Sequence, residues 1–228
     1  MKIITIEGLD GSGKGTQSKI LKENLEKTGK KVALFSFPVY ESYTGGKVKK
    51  YLTGELKGLG ILQISELYSN DRKAFFKKEL KNILEGNYDY VIFDRYVFSN
   101  IIHQGMKLKT EREINNYVKT VYHMEYTKNE IPKPDIEIFL EVSNNVRNSI
   151  IENRMMKEES KDSTIGKMRT KDIHENDTDY LDMCHDKINL LMSNNHAFDN
   201  TKVLKCDDDL VMRSIDEISN DILKIVLA

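Results

Sequence analysis

The stretch EGLDGSGKGT at residues 7–16 carries the strongest structural signal in the chain. Its glycines and Lys14 fit the spacing G-x-x-x-x-G-K of a phosphate-binding loop. A β-rich run at residues 3–6 leads into the stretch, and residues 18–27 have the apolar spacing of a helix. In this context successive backbone N–H groups can surround an anion, and the helix N-terminus adds its positive dipole end. We therefore predict a nucleotide phosphate site here rather than an ordinary glycine-rich turn.

One position in this loop departs from the pattern. Gly15 stands where the pattern has a serine or threonine that meets a magnesium ion, and Thr16 follows one place later. The string from Gly11 to Thr16 resembles the loop of adenylate kinases, so phosphate binding is still expected. Whether a hydroxyl of this loop reaches the metal is left open by the sequence.

Composition limits the classes of function. The 228 residues include 35 basic and 36 acidic side chains, and the net charge is −1, which predicts one α/β domain and neither nucleic-acid nor membrane partners. Two isolated cysteines, Cys184 and Cys206, exclude a disulfide framework and suit a reducing cytosol. We expect no signal peptide and a cytoplasmic location, because the chain starts with a strand and no apolar run reaches about 18 residues.

Strands and helices alternate along the chain. Beyond the first strand and helix, strands are predicted at residues 31–36, 88–94, 135–142 and 202–206, helices at residues 62–84 and 111–126, and a last helix with Val211, Ile215, Ile218, Ile222 and Val226 on one face. This order predicts a five-stranded parallel sheet covered by helices on both faces, a three-layer α/β fold. Sites in such folds lie at the carboxyl ends of the strands.

Residues 155–171 break the alternation because they are highly charged and lack apolar periodicity. A loop of this length inside a compact domain is usually functional or disordered. The segment is therefore either a tolerated surface insertion or a mobile lid that closes over transferring phosphates.

A second signal lies at the end of the predicted third strand, where Asp94 precedes Arg95. An acidic residue at this position is expected to bind magnesium, either directly or through a water molecule. The planar guanidinium of Arg95 suits a phosphate. The alternative is that Asp94 and Arg95 pair only with each other.

These residues form part of a longer set of motifs. In order along the chain they are FPVY at 37–40, YSNDR at 68–72, DRYVFSN at 94–100, HQG at 103–105, PKPD at 132–135 and DIHE at 172–175. Together with the phosphate loop, they make the chain similar to a thymidylate kinase, a member of the nucleoside-monophosphate kinase group. The resemblance covers residues 3 to 181.

The resemblance implies a reaction and a set of partners. It implies a P-loop fold in one domain over residues 1–228, with a lid at about residues 155–171, that moves the γ-phosphate of ATP to dTMP. The products would be dTDP and ADP, on the route to dTTP. It further implies Mg²⁺ as cofactor and a homodimer.

Roles for individual residues are implied in the same way. ATP would bind at Gly8, Leu9, Asp10, Gly11, Ser12, Gly13, Lys14, Gly15, Thr16 and Arg154. The acceptor would bind at Asp10, Phe37, Tyr40, Tyr68, Arg72, Arg95, Ser99, Asn100, His103, Gln104 and Glu175, with Tyr68 stacked on thymine and Asn100 bonded to the pyrimidine. Mg²⁺ would be held by Asp10, Thr16, Asp94 and Glu175. Catalysis would rest on Lys14, Asp94, Arg95, Arg154 and Arg169.

Three departures from the family pattern bear on specificity. Val39 stands where many relatives have arginine, and His103 replaces an aromatic residue that crowds the ribose 2′ position. Gly11 stands where some phosphate loops carry an arginine, so a lid cation would have to act on the transferring group. Another deoxynucleoside monophosphate, or a nucleoside, therefore stays open as acceptor. A nucleotide-dependent switch without transfer is a further alternative, although it would need no second phosphate site.

Overall fold

A computed structural model describes residues 1–162, 177–194, 198, 200–208 and 210–228, without the side chains of residues 154, 155, 157–162, 193 and 194. The strands are β1 (Lys2–Gly8), β2 (Val32–Ser36), β3 (Tyr90–Asp94), β4 (Ile136–Glu141) and β5 (Thr201–Lys205). The α-helices are α1 (Lys14–Lys27), α2 (Tyr43–Leu52), α3 (Ile61–Glu85), α4 (Phe98–His103), α5 (Glu111–Tyr122), α6 (Asn144–Asp162), α7 (Thr178–Asn194) and α8 (Ile215–Leu227).

The five strands form one parallel sheet in the order β2-β3-β1-β4-β5. The pairing of Ile6 with Asp94 places the ends of β1 and β3 side by side. The predicted five-stranded parallel sheet is confirmed. The order also explains why the phosphate loop after β1 and the Asp94-Arg95 pair after β3 meet at one edge of the sheet.

Helices cover both faces of this sheet, as predicted. Alternate residues of β1 face opposite ways, so Ile4 and Ile6 join a core with helices α1 and α8 while Ile3 joins an aromatic core. β3 alternates in the same manner, with Ile92 on the first side and Phe93 on the second. Burial of both faces accounts for the nearly continuous apolar runs of these strands.

The last helix begins later than predicted. Val211 lies before it, in a turn where the Asp208 carboxylate accepts from the backbone N–H groups of Leu210 at 3.1 Å and Val211 at 2.8 Å. The helix itself starts after Ser214, whose hydroxyl accepts from the N–H of Glu217 in a capping box. Local side-chain bonds, which compete with helix formation, therefore exclude Val211 from the apolar face.

Helix α6 runs to Asp162, so the first part of the segment predicted as a lid, residues 155–162, is helical. The rest of that segment, residues 163–171, lies outside the described residues. A further refinement concerns the helix predicted at 111–126, which is regular to Tyr122 and continues as a π-helical segment, His123–Lys128. Among the described residues, no helix combines the length and apolarity needed to cross a membrane.

Candidate active site

The phosphate loop joins the end of β1 to the start of α1. Gly11 and Gly13 adopt φ angles of 87° and 83°, a left-handed conformation that favours glycine. The N–H of Ser12 donates to the carbonyl of Leu9 at 3.2 Å, which closes the turn. Because α1 begins at Lys14, the unpaired N–H groups of its first turn and its positive dipole end both face the loop.

Lys14 lies within this loop and is buried. Its Nζ donates to the carbonyl of Leu9 at 2.6 Å and lies 3.9 Å from Oδ1 of Asp10. Burial, together with the charge of Arg95, lowers the pKa of Lys14 to about 8, although Asp10 and Asp94 oppose the shift. An ammonium group with so little hydration gains strongly from an anionic partner, which a bound phosphate supplies.

Arg95 and Asp10 connect the ends of β3 and β1 by an ion pair between Nη2 and Oδ1. Burial alone would raise the pKa of Asp10, but Arg95 and Lys14 hold it far below its ordinary range. The backbone of Arg95 has a φ of 67°, which is rare for a residue with a side chain. This conformation turns the guanidinium away from the strand and toward the loop, so the pairing of Asp94 with Arg95 alone is not what the structure contains.

The Asp94 carboxylate lies against the first turn of α1. A Cβ atom on Gly15 would come within 3.2 Å of Oδ2 of Asp94, so the glycine allows this close approach. Within the described part of the chain, no hydrogen bond occupies the Asp94 carboxylate, and Thr16 beside it is exposed. No group of three or more His, Cys, Asp or Glu side chains is gathered among the described residues. Magnesium commonly uses one or two carboxylates with substrate phosphates, so Asp94 and the second oxygen of Asp10, whose Oδ1 pairs with Arg95, fit the ion, and Thr16 stays a predicted ligand.

A pocket opens beside the loop, between the end of β3 and helix α3. Its lining consists of Asp10, Pro38, Tyr40, Leu52, Tyr68, Arg95, Ser99, Asn100, His103 and Gln104. The pocket therefore brings together most of the residues predicted to bind the acceptor. It combines apolar and aromatic walls with a fixed cation, an arrangement that suits a planar base carrying an anionic group.

Two residues predicted to bind the acceptor lie behind this pocket. The ring of Phe37 is buried in the aromatic core, stacked on Phe93, and its neighbour Pro38 lines the pocket instead. Arg72 is also buried, with Nε and Nη2 donating to Glu125 at 3.1 and 2.5 Å. Because its donors are engaged inside the protein, Arg72 supports the wall next to Tyr68 and does not line the pocket.

The comparisons with known proteins agree with this geometry. The family model for thymidylate kinase matches residues 6–199. The chain belongs to the thymidylate kinase family. A Mycobacterium tuberculosis thymidylate kinase is 33% identical over 144 residues, which are 62% of this chain and 66% of that protein, slightly under two thirds. A probable thymidylate kinase from Saccharolobus solfataricus is 32% identical over 173 residues, 75% of this chain and 80% of the relative.

A solved structure supports the same fold. The thymidylate kinase from Candida albicans, described as having broad substrate specificity, aligns with a TM-score of 0.65 at 21% identity. The alignment covers 99% of this chain and 91% of the Candida protein. At this identity the likeness concerns the architecture, which the whole described chain shares with a member of the family.

Three buried acids organise the candidate site, although the sequence assigned them no role. Glu7 accepts from the N–H of Tyr96 at 2.7 Å and from the hydroxyl of Ser99 at 2.6 Å. Asp71 accepts from the N–H of Val39 at 2.8 Å and from the hydroxyl groups of Ser42 and Thr44. Glu125 holds Arg72, as described above. A signal for Glu7 was present, since it is a carboxylate inside the apolar first strand.

Burial raises the pKa of Glu7, but the hydrogen bond from Ser99 and the charge of Arg95 oppose the shift. Glu7 therefore fixes Ser99 at the pocket from inside the protein.

Three further predicted site residues have no described side chain. Arg169 and Glu175 lie outside the described residues, and of Arg154 only the backbone, within α6, is described.

Proposed function

We propose that this chain moves the γ-phosphate of ATP to dTMP, which yields dTDP and ADP. The observation that carries the proposal is the junction of two anion sites at one sheet edge. Lys14 and the loop N–H groups form the first, and Arg95, held by Asp10, forms the second beside the pocket. A protein that only binds one nucleotide needs no second phosphate site.

The proposed phosphoryl transfer depends mainly on how the donor and acceptor phosphates are positioned. A phosphate monoester has a second pKa of about 6, so the acceptor is mostly dianionic at neutral pH and needs no strong base. One of its oxygens forms a bond to the γ-phosphorus of ATP while the bond from that phosphorus to the β-phosphate oxygen breaks. Lys14 and Arg95 hold the two polyanions in line and neutralise charge as the group moves.

Magnesium belongs to the proposal as cofactor. Asp94, Asp10 and Thr16 would hold it, with Glu175 as a predicted fourth ligand. The ion supplies charge neutralisation on the phosphates of the donor. Asp94 would contribute a carboxylate beside the first turn of α1. This carboxylate would orient the cation that accompanies ATP.

The pocket walls suit a pyrimidine monophosphate. Tyr68 offers a ring face, and Asn100 is fixed by its Nδ2 donating to the carbonyl of Ser65 at 3.3 Å. Fixed polar groups favour a particular base edge, since a wrong base leaves a buried polar group without a partner. A homodimer and a cytoplasmic location are part of the proposal on family resemblance alone.

A panel of monophosphates tests the assignment. The purified chain is incubated with ATP, Mg²⁺ and one of dTMP, dUMP, UMP, dCMP, dGMP or AMP, and diphosphate formation is followed by chromatography. We expect the highest kcat/KM for dTMP and almost none with Lys14→Met. Efficient turnover of another monophosphate with dTMP inert would contradict the acceptor, and ATP binding without any transfer would favour the switch.

A further inference from the structure

Arg147 lies on α6 with its side chain fully buried, outside every motif that the sequence suggested. Its Nη2 forms an ion pair with Asp182 of α7, and its Nη1 donates to Oδ1 of Asn144 at 3.0 Å. Asn148 also contacts Asp182, at 3.3 and 3.4 Å. A buried guanidinium carries a large desolvation cost, which the ion pair with Asp182 offsets in part.

The aliphatic part of Arg147 packs against the tip of the phosphate loop. A Cβ atom on Gly11 would come 3.0 Å from Cγ and 3.4 Å from the carbonyl oxygen of Arg147, and 3.3 Å from Cγ1 of Ile151. The backbone of Gly11 therefore rests directly on α6. A larger residue at Gly11 would push the loop and the helix apart, so the glycine and the arginine fit as a pair.

The charge of Arg147 also reaches the loop. Burial lowers the pKa of Arg147, whereas the charges of Asp182 and, more weakly, Asp10 act in the opposite direction. Its Nε–H has no hydrogen-bond partner among the described side chains and backbone. The guanidinium is paired with Asp182 and its stem contacts Gly11, so the field of this buried ion pair extends to the loop that receives an anion.

We propose that Arg147 is a positioning residue for the donor nucleotide. Its stem supports Gly11, and its buried charge makes the phosphate loop more attractive to the phosphates of ATP without contacting them. This inference rests on the proposed function, since it concerns the donor site of that reaction. It adds a cation supplied by α6 to the cations of the loop and of β3.

The test removes the charge while keeping the shape. In Arg147→Met with Asp182→Asn both charges of the ion pair are lost, so no buried charge is left unpaired. Calorimetry measures the Kd for ATP with Mg²⁺ and, separately, for dTMP. We expect ATP binding to weaken by about threefold to tenfold, less than for the loss of one unpaired charge, because the opposite charge of Asp182 is removed with it, and we expect dTMP binding to stay unchanged.

Two single variants serve as controls. Arg147→Lys keeps the charge and should bind ATP nearly as the wild type does. Asp182→Asn keeps the guanidinium and should lower the melting temperature, with a Kd for ATP that is unchanged or lower. If the double variant fails to fold, Arg147→Lys decides, because a tenfold loss of ATP affinity in it would show that the charge is not what matters.

The remaining outcomes are distinct. Unchanged ATP affinity in the folded double variant would overturn the inference alone. An equal loss of ATP and dTMP affinity, with a lower melting temperature, would also overturn it, because the effect would then be general damage. A wild-type chain that binds no ATP would overturn the proposed function and the inference together.

Discussion

Arg95 shows how a single residue combines strain, charge and function. A residue with a side chain in the left-handed region costs about 1–3 kcal/mol, and Arg95 has a φ of 67°. Its position at the end of a buried strand was enough to predict a role. Its protein partner was not predicted, since the sequence offered Asp94 only as the alternative to a phosphate role and the structure supplies Asp10, which follows the neighbouring strand. Strand order, which local sequence does not encode, decides that pairing.

Replacing Arg95 tests its role at the acceptor. Arg95→Ala should lower kcat/KM for dTMP by about 10²-fold or more, because a preorganised charge contact is lost. Arg95→Lys should also be poor, since a point charge does not reproduce a planar fork. Arg213→Ala is a matched control, because Arg213 pairs with Asp221 of α8 and neither residue lines the pocket. Near-normal kcat/KM in both Arg95 variants would mean that Arg95 is structural.

Phe37 and Arg72 show that a motif does not determine which of its side chains line a pocket. The family resemblance implied that both bind the acceptor, and both lie beside residues of the pocket wall, Pro38 and Tyr68. Their burial depends on Phe93 and Glu125, which come from distant parts of the chain. A motif therefore indicates a neighbourhood, whereas tertiary packing decides which side chain faces the ligand.

At the scale of elements, segments with clear apolar periodicity were predictable, whereas the helices α2, α4, α6 and α7 were not predicted. The five strands and the long helix α3 follow from apolar pattern. Helix α2 is short and contains glycines, so its pattern is weak. It nevertheless packs against the FPVY segment at residues 37–40, part of which lines the pocket. Ser42 caps the first turn of this helix: its hydroxyl accepts from the N–H of Gly45 and donates to the buried carboxylate of Asp71.

Two adjacent glycines in α2 allow a test of the contact between this helix and the segment at residues 37–40. A Cβ on Gly45 would lie 1.9 Å from the carbonyl oxygen of Val39, whereas on Gly46 the nearest atom is 4.0 Å away. Gly45→Ala should therefore displace Val39 and the adjoining pocket wall, raising KM for dTMP and lowering the melting temperature. Gly46→Ala should be neutral or slightly stabilising, by up to about 1 kcal/mol, since alanine favours helix. Equal behaviour of the two variants would refute the close contact.

The start of α8 gives a second test at this scale. Ser214→Ala removes the hydroxyl that caps the helix and should lower the free energy of unfolding by about 1 kcal/mol. Val211→Ala should change it little, because Val211 is 65% exposed and precedes the helix. Urea unfolding of both variants measures the difference. A larger loss for Val211→Ala would restore the longer helix predicted from the apolar stripe.

At the scale of the whole molecule, a net charge of −1 conceals a cluster of buried charges of both signs around the phosphate loop. Lys14, Arg95 and Arg147 all lie around one loop and are buried or half-buried there. Composition alone could not reveal this, because it does not show that Asp10 and Asp182 lie against these cations. The fold concentrates the charge by bringing β1, β3 and α6 together at one edge of the sheet. Substrates that carry several negative charges are the ligands such a site favours.

Lys14 gives this field a measurable pH dependence. Its pKa of about 8 in the folded chain lies below the ordinary value of 10.5, so its charge costs stability below pH 8. That cost disappears as the pH rises toward the unfolded value, whereas ATP binding follows the opposite course, since phosphates favour the protonated form.

We expect the Kd for ATP to rise about tenfold between pH 7 and pH 9, with proton uptake on binding near pH 8.5. Calorimetry in two buffers of different ionisation enthalpy measures both quantities. Lys14→Met should bind ATP weakly at every pH, with no proton uptake in this window. Proton uptake that persists in Lys14→Met would assign the titration to another group, and ATP affinity that stays constant to pH 9 would contradict the lowered pKa.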